Sequence, residues 1–163
     1  MNWKFAMLAT ALMSNAVYAQ TTLETRAEKA GIKRCLPTIS RVSKFLVEDS
    51  QHASYDTNSK DSPDTRPFFS RIVKSYSDGD SQIIVTFSPS AGGECDWTYW
   101  ESMLFEEPCG VVREEVFNDF VYDRSLNATT IVLKSPISAV YVYLTPSGSN
   151  KACLAGKEES GYE

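Results

Sequence analysis

Apolar residues fall at three- and four-residue intervals around position 40: Leu36, Ile39, Val42, Phe45 and Leu46, with Arg41, Lys44 and Glu48 off that stripe. This is the period of an amphipathic helix lying on a core, and Pro37 suits its first turn. A short charged helix over residues 23–30 precedes it, ended by Gly31 where a C-cap is expected. Beyond it the pattern stops. Residues 49–66 are rich in Ser, Asp and Asn, hold no hydrophobic period, and read as an exposed, mobile loop.

Strand-like segments follow at residues 67–76, 82–87 and 94–104, the first two joined by an Asp78-Gly79 hairpin signal and the next two by a Ser-Pro-Gly turn. A second helical period runs over residues 108–121, with Pro108 in its first turn and Val112, Val116, Phe117 and Phe120 as its buried stripe. Residues 129–133, 139–144 and 151–155 read as further strands, and the polar tail after Gly156 as frayed. The predicted fold class is α+β: an antiparallel sheet of about five to six strands with two helices packed on one face. In this arrangement strand 129–133 runs parallel to strand 94–104, because one helix separates them.

Residues 1–19, MNWKFAMLATALMSNAVYA, have a basic residue at Lys4, a short apolar run, and small residues Val17 and Ala19 before Gln20. That is the layout of a secretory signal peptide, and the run is too short to span a bilayer. The expected product is a single exported domain, residues 20–163, periplasmic or secreted. Its four cysteines, Cys35, Cys95, Cys109 and Cys153, are even in number and lack the close pairs that zinc favours. Two disulfides are therefore expected. Sequence allows three connectivities, and strand geometry favours one. Cys95 and Cys109 lie at opposite ends of a strand of roughly 30 Å at ~3.4 Å per residue. Cys95 then goes to Cys35, and Cys109 to Cys153.

Composition narrows the chemistry. The formal charge of −5 falls to −6 when Lys4 leaves with the leader, and no basic block is present, which argues against a nucleic-acid partner. His52 is the single histidine, and no GxSxG occurs, so no catalytic constellation, metal set or cofactor motif is legible. Residues 56–61 depart from the calcium-loop pattern at Lys60, Asp61 and Pro67. Asn127-Ala128-Thr129 is a glycosylation sequon of consequence in a eukaryotic secretory pathway. The aromatics are more telling. Alternation sets Cys95, Trp97, Tyr99 and Met103 on one face of their strand and Thr98, Trp100, Ser102 and Leu104 on the other. If the helices cover the Trp97 face, then Trp100, Tyr141 and Tyr143 share the open face as a candidate binding surface.

The segments Arg66-Pro67-Phe68-Phe69, Tyr76-Ser77-Asp78-Gly79-Asp80, Cys95-Asp96-Trp97-Thr98-Tyr99 and Pro108-Cys109, with the late Cys153, resemble small exported bacterial proteins of unknown function. The resemblance spans most of the mature chain and implies no activity. Lysozyme inhibitors and immunity proteins share the size, the export and the disulfides. The expected function is a non-catalytic binding protein that engages another protein, an acidic chain favouring a basic partner. A carboxylate-based hydrolase of envelope glycans and a structural envelope component are the alternatives. Intact mass of the exported protein should correspond to a chain beginning at Gln20, with no thiol open to alkylation before reduction. Alkylation of two cysteines in the unreduced protein would contradict the disulfide assignment.

Overall fold

The computed structural model describes residues 22–48, 50–77 and 79–163; the expected leader over residues 1–19 lies outside them. The described residues form one eight-stranded antiparallel sheet with three short helices, 19% of them helical and 45% in strands. This overturns the α+β expectation of five to six strands and two helices. Helices α1 (Thr22–Lys29) and α2 (Leu36–Val47) come first, then strands β1 (His52–Thr57), β2 (Phe68–Tyr76), β3 (Gly79–Pro89) and β4 (Cys95–Phe105). Helix α3 (Cys109–Glu115) leads into β5 (Val121–Ser125), β6 (Ile131–Lys134), β7 (Tyr141–Ser147) and β8 (Ala152–Gly161). The spatial order β1-β2-β3-β4-β8-β7-β6-β5 makes two four-stranded meanders that meet where β4 pairs with β8.

Three segments account for the correction. Residues 52–57, expected within a loop, form edge strand β1. Its inward side is polar rather than apolar: Asp56 accepts a hydrogen bond from Ser70 Oγ at 2.6 Å and pairs with Arg26 of α1 at 3.3 Å. No hydrophobic alternation therefore marks it. The second helical period is real packing but not continuous helix. α3 stops at Glu115, Phe117 N–H bonds back to the Val112 carbonyl, and Phe117 and Phe120 meet edge to face at 5.8 Å. The chain then enters β5, which the sequence pattern leaves without an assignment beyond Val121. With β5 counted, β6 runs antiparallel to β4, not parallel. Finally, the tail after Gly156 continues the strand read at residues 151–155 into central strand β8, and its end is fixed to α2: Glu163 pairs with Arg41 and accepts a hydrogen bond from Thr38 Oγ1 at 2.8 Å.

The helices lie on one face of the sheet and divide the core in two. α1 and α2 pack with Phe68, Ile72, Ile83, Val85, Phe87 and Tyr99. α3 packs with Leu133, Val142, Leu144 and Ala155. Each half carries one disulfide, Cys35–Cys95 with Cα atoms 5.2 Å apart and Cys109–Cys153 with Cα atoms 4.8 Å apart. Each staples a helix start to the strand beneath it. The expected pairing is the one found: the length of β4 excludes Cys95–Cys109, and of the two connectivities left the structure has Cys35–Cys95 with Cys109–Cys153. Among the described residues no helix is long and apolar enough to cross a membrane.

The connection between β1 and β2 is pinned by Asp64. One of its oxygens accepts the backbone N–H groups of Lys33 and Arg34, each at 2.7 Å, just ahead of Cys35. Those two bonds, the larger from Arg34, hold the carboxyl below the ordinary aspartate range. A depressed folded pKa contributes stability above the unfolded value and loses it as pH falls through the folded one. Asp64→Ala should cost roughly 1 kcal/mol near neutral pH, the scale of a lost helix cap. The gap to the wild type should close as urea melts are taken below about pH 4. An equal gap at pH 6 and pH 2.5 would contradict the assignment.

Candidate binding surface

The face opposite the helices carries the aromatic residues singled out above. Trp100 on β4 and Tyr143 on β7 meet with ring centroids 5.0 Å apart, tilted by 40°. They are not adjacent in the sheet, because β8 runs between them. Contact across an intervening strand is possible because Gly156 occupies β8 there. A Cβ at Gly156 would collide with the Trp100 indole, so the ring lies directly on the β8 backbone. Trp100 Nε1–H donates to Ser102 Oγ at 2.9 Å, and the Tyr143 hydroxyl donates to Glu158 Oε2 at 2.8 Å. Burial, with that hydrogen bond and the charge of Glu158, pushes the Tyr143 hydroxyl up to about 12. Tyr141 sits opposite Glu158 in the register, with Lys134 Nζ 5.9 Å from its ring centroid.

The surface is wider than these three residues. One rung crosses the sheet through Tyr55, Arg71, Ile84, Trp100, Glu158 and Tyr141. Phe69 and Val73 lie on the neighbouring same-face rungs and Leu104 and Leu154 one rung further, beyond Ser102 and Gly156; all four are exposed, as are Tyr55, Ile84 and Trp100. Tyr55 and Glu158 were hidden in segments read as loop and tail. The Trp97 side of β4 faces the helices, where Trp97 is partly buried and stacks parallel on Tyr99 at 6.2 Å.

At the far end of the rung, Asp123, Arg124, Val132, Tyr141, Tyr143 and Glu158 line a shallow concavity of 340 Å³. Asp123 is ion-paired to Arg124 at 2.5 Å, and Glu158 is held by Tyr143. The sequon residue Asn127 is exposed in the turn before β6, its Oδ1 accepting the backbone N–H groups of Thr129 and Thr130 at 2.8 and 2.6 Å. His52 lies on β1, its Nδ1 3.0 Å from the Ser50 carbonyl oxygen. Among the described residues no three His, Cys, Asp or Glu side chains gather as metal ligands. No protein-family model, curated protein or solved structure matches the chain.

The close seating of Trp100 on Gly156 is testable by a double-mutant cycle. Gly156→Ala should destabilise by roughly 1–3 kcal/mol, as forced overpacking does. In a Trp100→Ala background the same change should cost much less, since the colliding ring is gone. Equal costs in the two backgrounds, read from denaturant melts, would show that the indole does not occupy this place.

Proposed function

We propose that the protein is an exported, non-catalytic binding protein, periplasmic or secreted after cleavage following Ala19, that engages another protein through the open face of its sheet. The observation that carries this is the exposed apolar band centred on Trp100. Tyr55, Ile84 and Trp100 share one rung, with Phe69, Val73, Leu104 and Leu154 beside them. Contiguous exposed apolar surface on a folded domain is a recurrent mark of an interaction site. Trp100 is also held in place by Ser102, Tyr143 and Gly156, so little side-chain freedom remains to be lost on binding. The two disulfides suit an oxidising compartment.

The band itself is close to neutral. The excess negative charge lies around α3, at Glu106, Glu107, Glu114, Glu115 and Asp119, all exposed. These residues lie on the helix side of the sheet, away from the band, so they act on a basic partner as a long-range field that raises its encounter rate, and the apolar band supplies the contact. An inhibitory or immunity-type role toward a cationic enzyme fits both. A hydrolase acting on envelope glycans is the second reading, and one observation favours it: Asp123 and Glu158 share a concavity with two tyrosines.

The test is a pull-down from envelope or culture extract with the oxidised mature protein, followed by kinetics on the retained protein. Ile84→Lys should abolish retention. Raised salt should slow association while leaving dissociation nearly unchanged. Retention insensitive to Ile84→Lys would overturn the assigned face. Turnover of a glycan substrate that is lost in Glu158→Gln would establish the hydrolase instead.

A further inference from the structure

The two core clusters share no residue. Between them, on the helix side of the sheet, a cavity of 240 Å³ opens between the ends of α2 and α3. Its rim is apolar: Phe45 from α2, Tyr76 from β2 and Val116 after α3, each about half exposed. Its floor is charged: Lys74 on β2, Glu101 on β4 and Lys157 on β8. Lys74 is 6% exposed and Glu101 7%.

Side chains of this kind are buried almost always with a partner, because an isolated buried charge is costly. Glu101 has one, the Ser81 hydroxyl, which donates to it at 2.7 Å. It also stands opposite Lys157 in the register. Lys74 is different. Its ammonium lies 5.1 Å from the centroid of the Tyr76 ring, and among the described residues neither it nor Lys157 forms an ion pair. The remaining charge at the cavity, Glu48, is exposed at the rim, where solvent screens it. The floor thus carries two ammonium groups, Lys74 and Lys157, against one buried carboxylate, Glu101, an excess of one positive charge enclosed by half-exposed apolar groups.

We propose that this cavity binds a small monocarboxylate with an apolar body, the carboxylate on Lys74 and the body against Phe45, Tyr76 and Val116. The anion balances the excess positive charge of the floor, and the apolar tail covers a rim that water now touches. The volume is at the small end of ligand sites, which suits a short-chain or single-ring acid.

Octanoate and 1-octanol, titrated into the oxidised, ¹⁵N-labelled protein, separate head from tail. Octanoate should give saturable amide shifts around Lys74, Tyr76, Glu101 and Val116, and octanol should bind at least tenfold more weakly. Lys74→Met should weaken octanoate by at least tenfold and leave octanol unchanged. Phe45→Ser, at an exposed rim position, should weaken both. Octanoate shifts that are absent or fall elsewhere, equal binding of the two ligands, or unchanged octanoate binding in Lys74→Met would each overturn the proposal. Should Lys74→Met fail to fold, the octanoate-to-octanol ratio in the wild type and Phe45→Ser decide it.

Discussion

The ladder between β4 and β8 is the interaction on which the rest of the structure depends. It runs from Trp97 opposite Gly161 to Phe105 opposite Cys153, and it is where one four-stranded meander joins the other. Neither disulfide crosses it: Cys35–Cys95 ties α2 to β4, and Cys109–Cys153 ties α3 to β8. The seam is therefore held by backbone hydrogen bonds and side-chain fit. The fit comes from two tryptophans on opposite faces of β4, each laid against a glycine of β8. Trp100 covers Gly156 on the open face, and Trp97 covers Gly161 on the helix face. Glycine weakens a strand by its freedom and its missing side chain. An indole resting on the bare backbone restores the lost contact. Any side chain at either position would displace the ring that closes the seam.

This arrangement explains which parts of the fold were legible in the sequence. The outward and inward faces of β4 and β7 were readable because both strands alternate against a covered side, and Val142 and Leu144 lie fully buried opposite the tyrosines. For the disulfides, one connectivity of three was excluded by the length of β4, which keeps Cys95 and Cys109 apart. The second half of β8, beyond the strand read at residues 151–155, was not legible, because its partners are unusual for a central strand. Lys157, Glu158 and Glu159 look like a solvated tail, yet Glu158 accepts the Tyr143 hydroxyl and Glu159 that of Tyr99 at 3.4 Å. Polar residues of β8 are thus satisfied by aromatics of its neighbours, a relation no single-strand pattern displays. β1 escaped for a related reason: its inward residues answer α1 with charge rather than apolar area.

The two faces of the sheet consequently do different physical work. The helix face holds separate apolar clusters with a charged row between them, a layout set by where α2 and α3 end. The open face has no helix and is covered instead by its own side chains. Val132 is buried there although it points away from the helices, paired with Tyr143 on one side and Arg124 on the other. Cross-strand packing of this kind protects a sheet without hiding it, so the same side chains remain available at the surface.

Trp100 serves the seam and also lies in the face proposed for binding. Its ring closes the seam through Gly156 and Tyr143 while 37% of the residue stays exposed at the centre of the apolar band. A partner that covers it would bind across the junction of the two meanders. Because such a partner binds the paired sheet and not the separated halves, mass action would make its binding stabilise the seam itself. Loss of Trp100 would then confound two effects, a loosened junction and a missing contact. Ile84 and Tyr55 carry no such ambiguity. They lie on the same rung, exposed, with no role at the β4–β8 ladder. The contribution of the face to recognition is therefore separable from its contribution to folding at those two positions, and at Trp100 it is not.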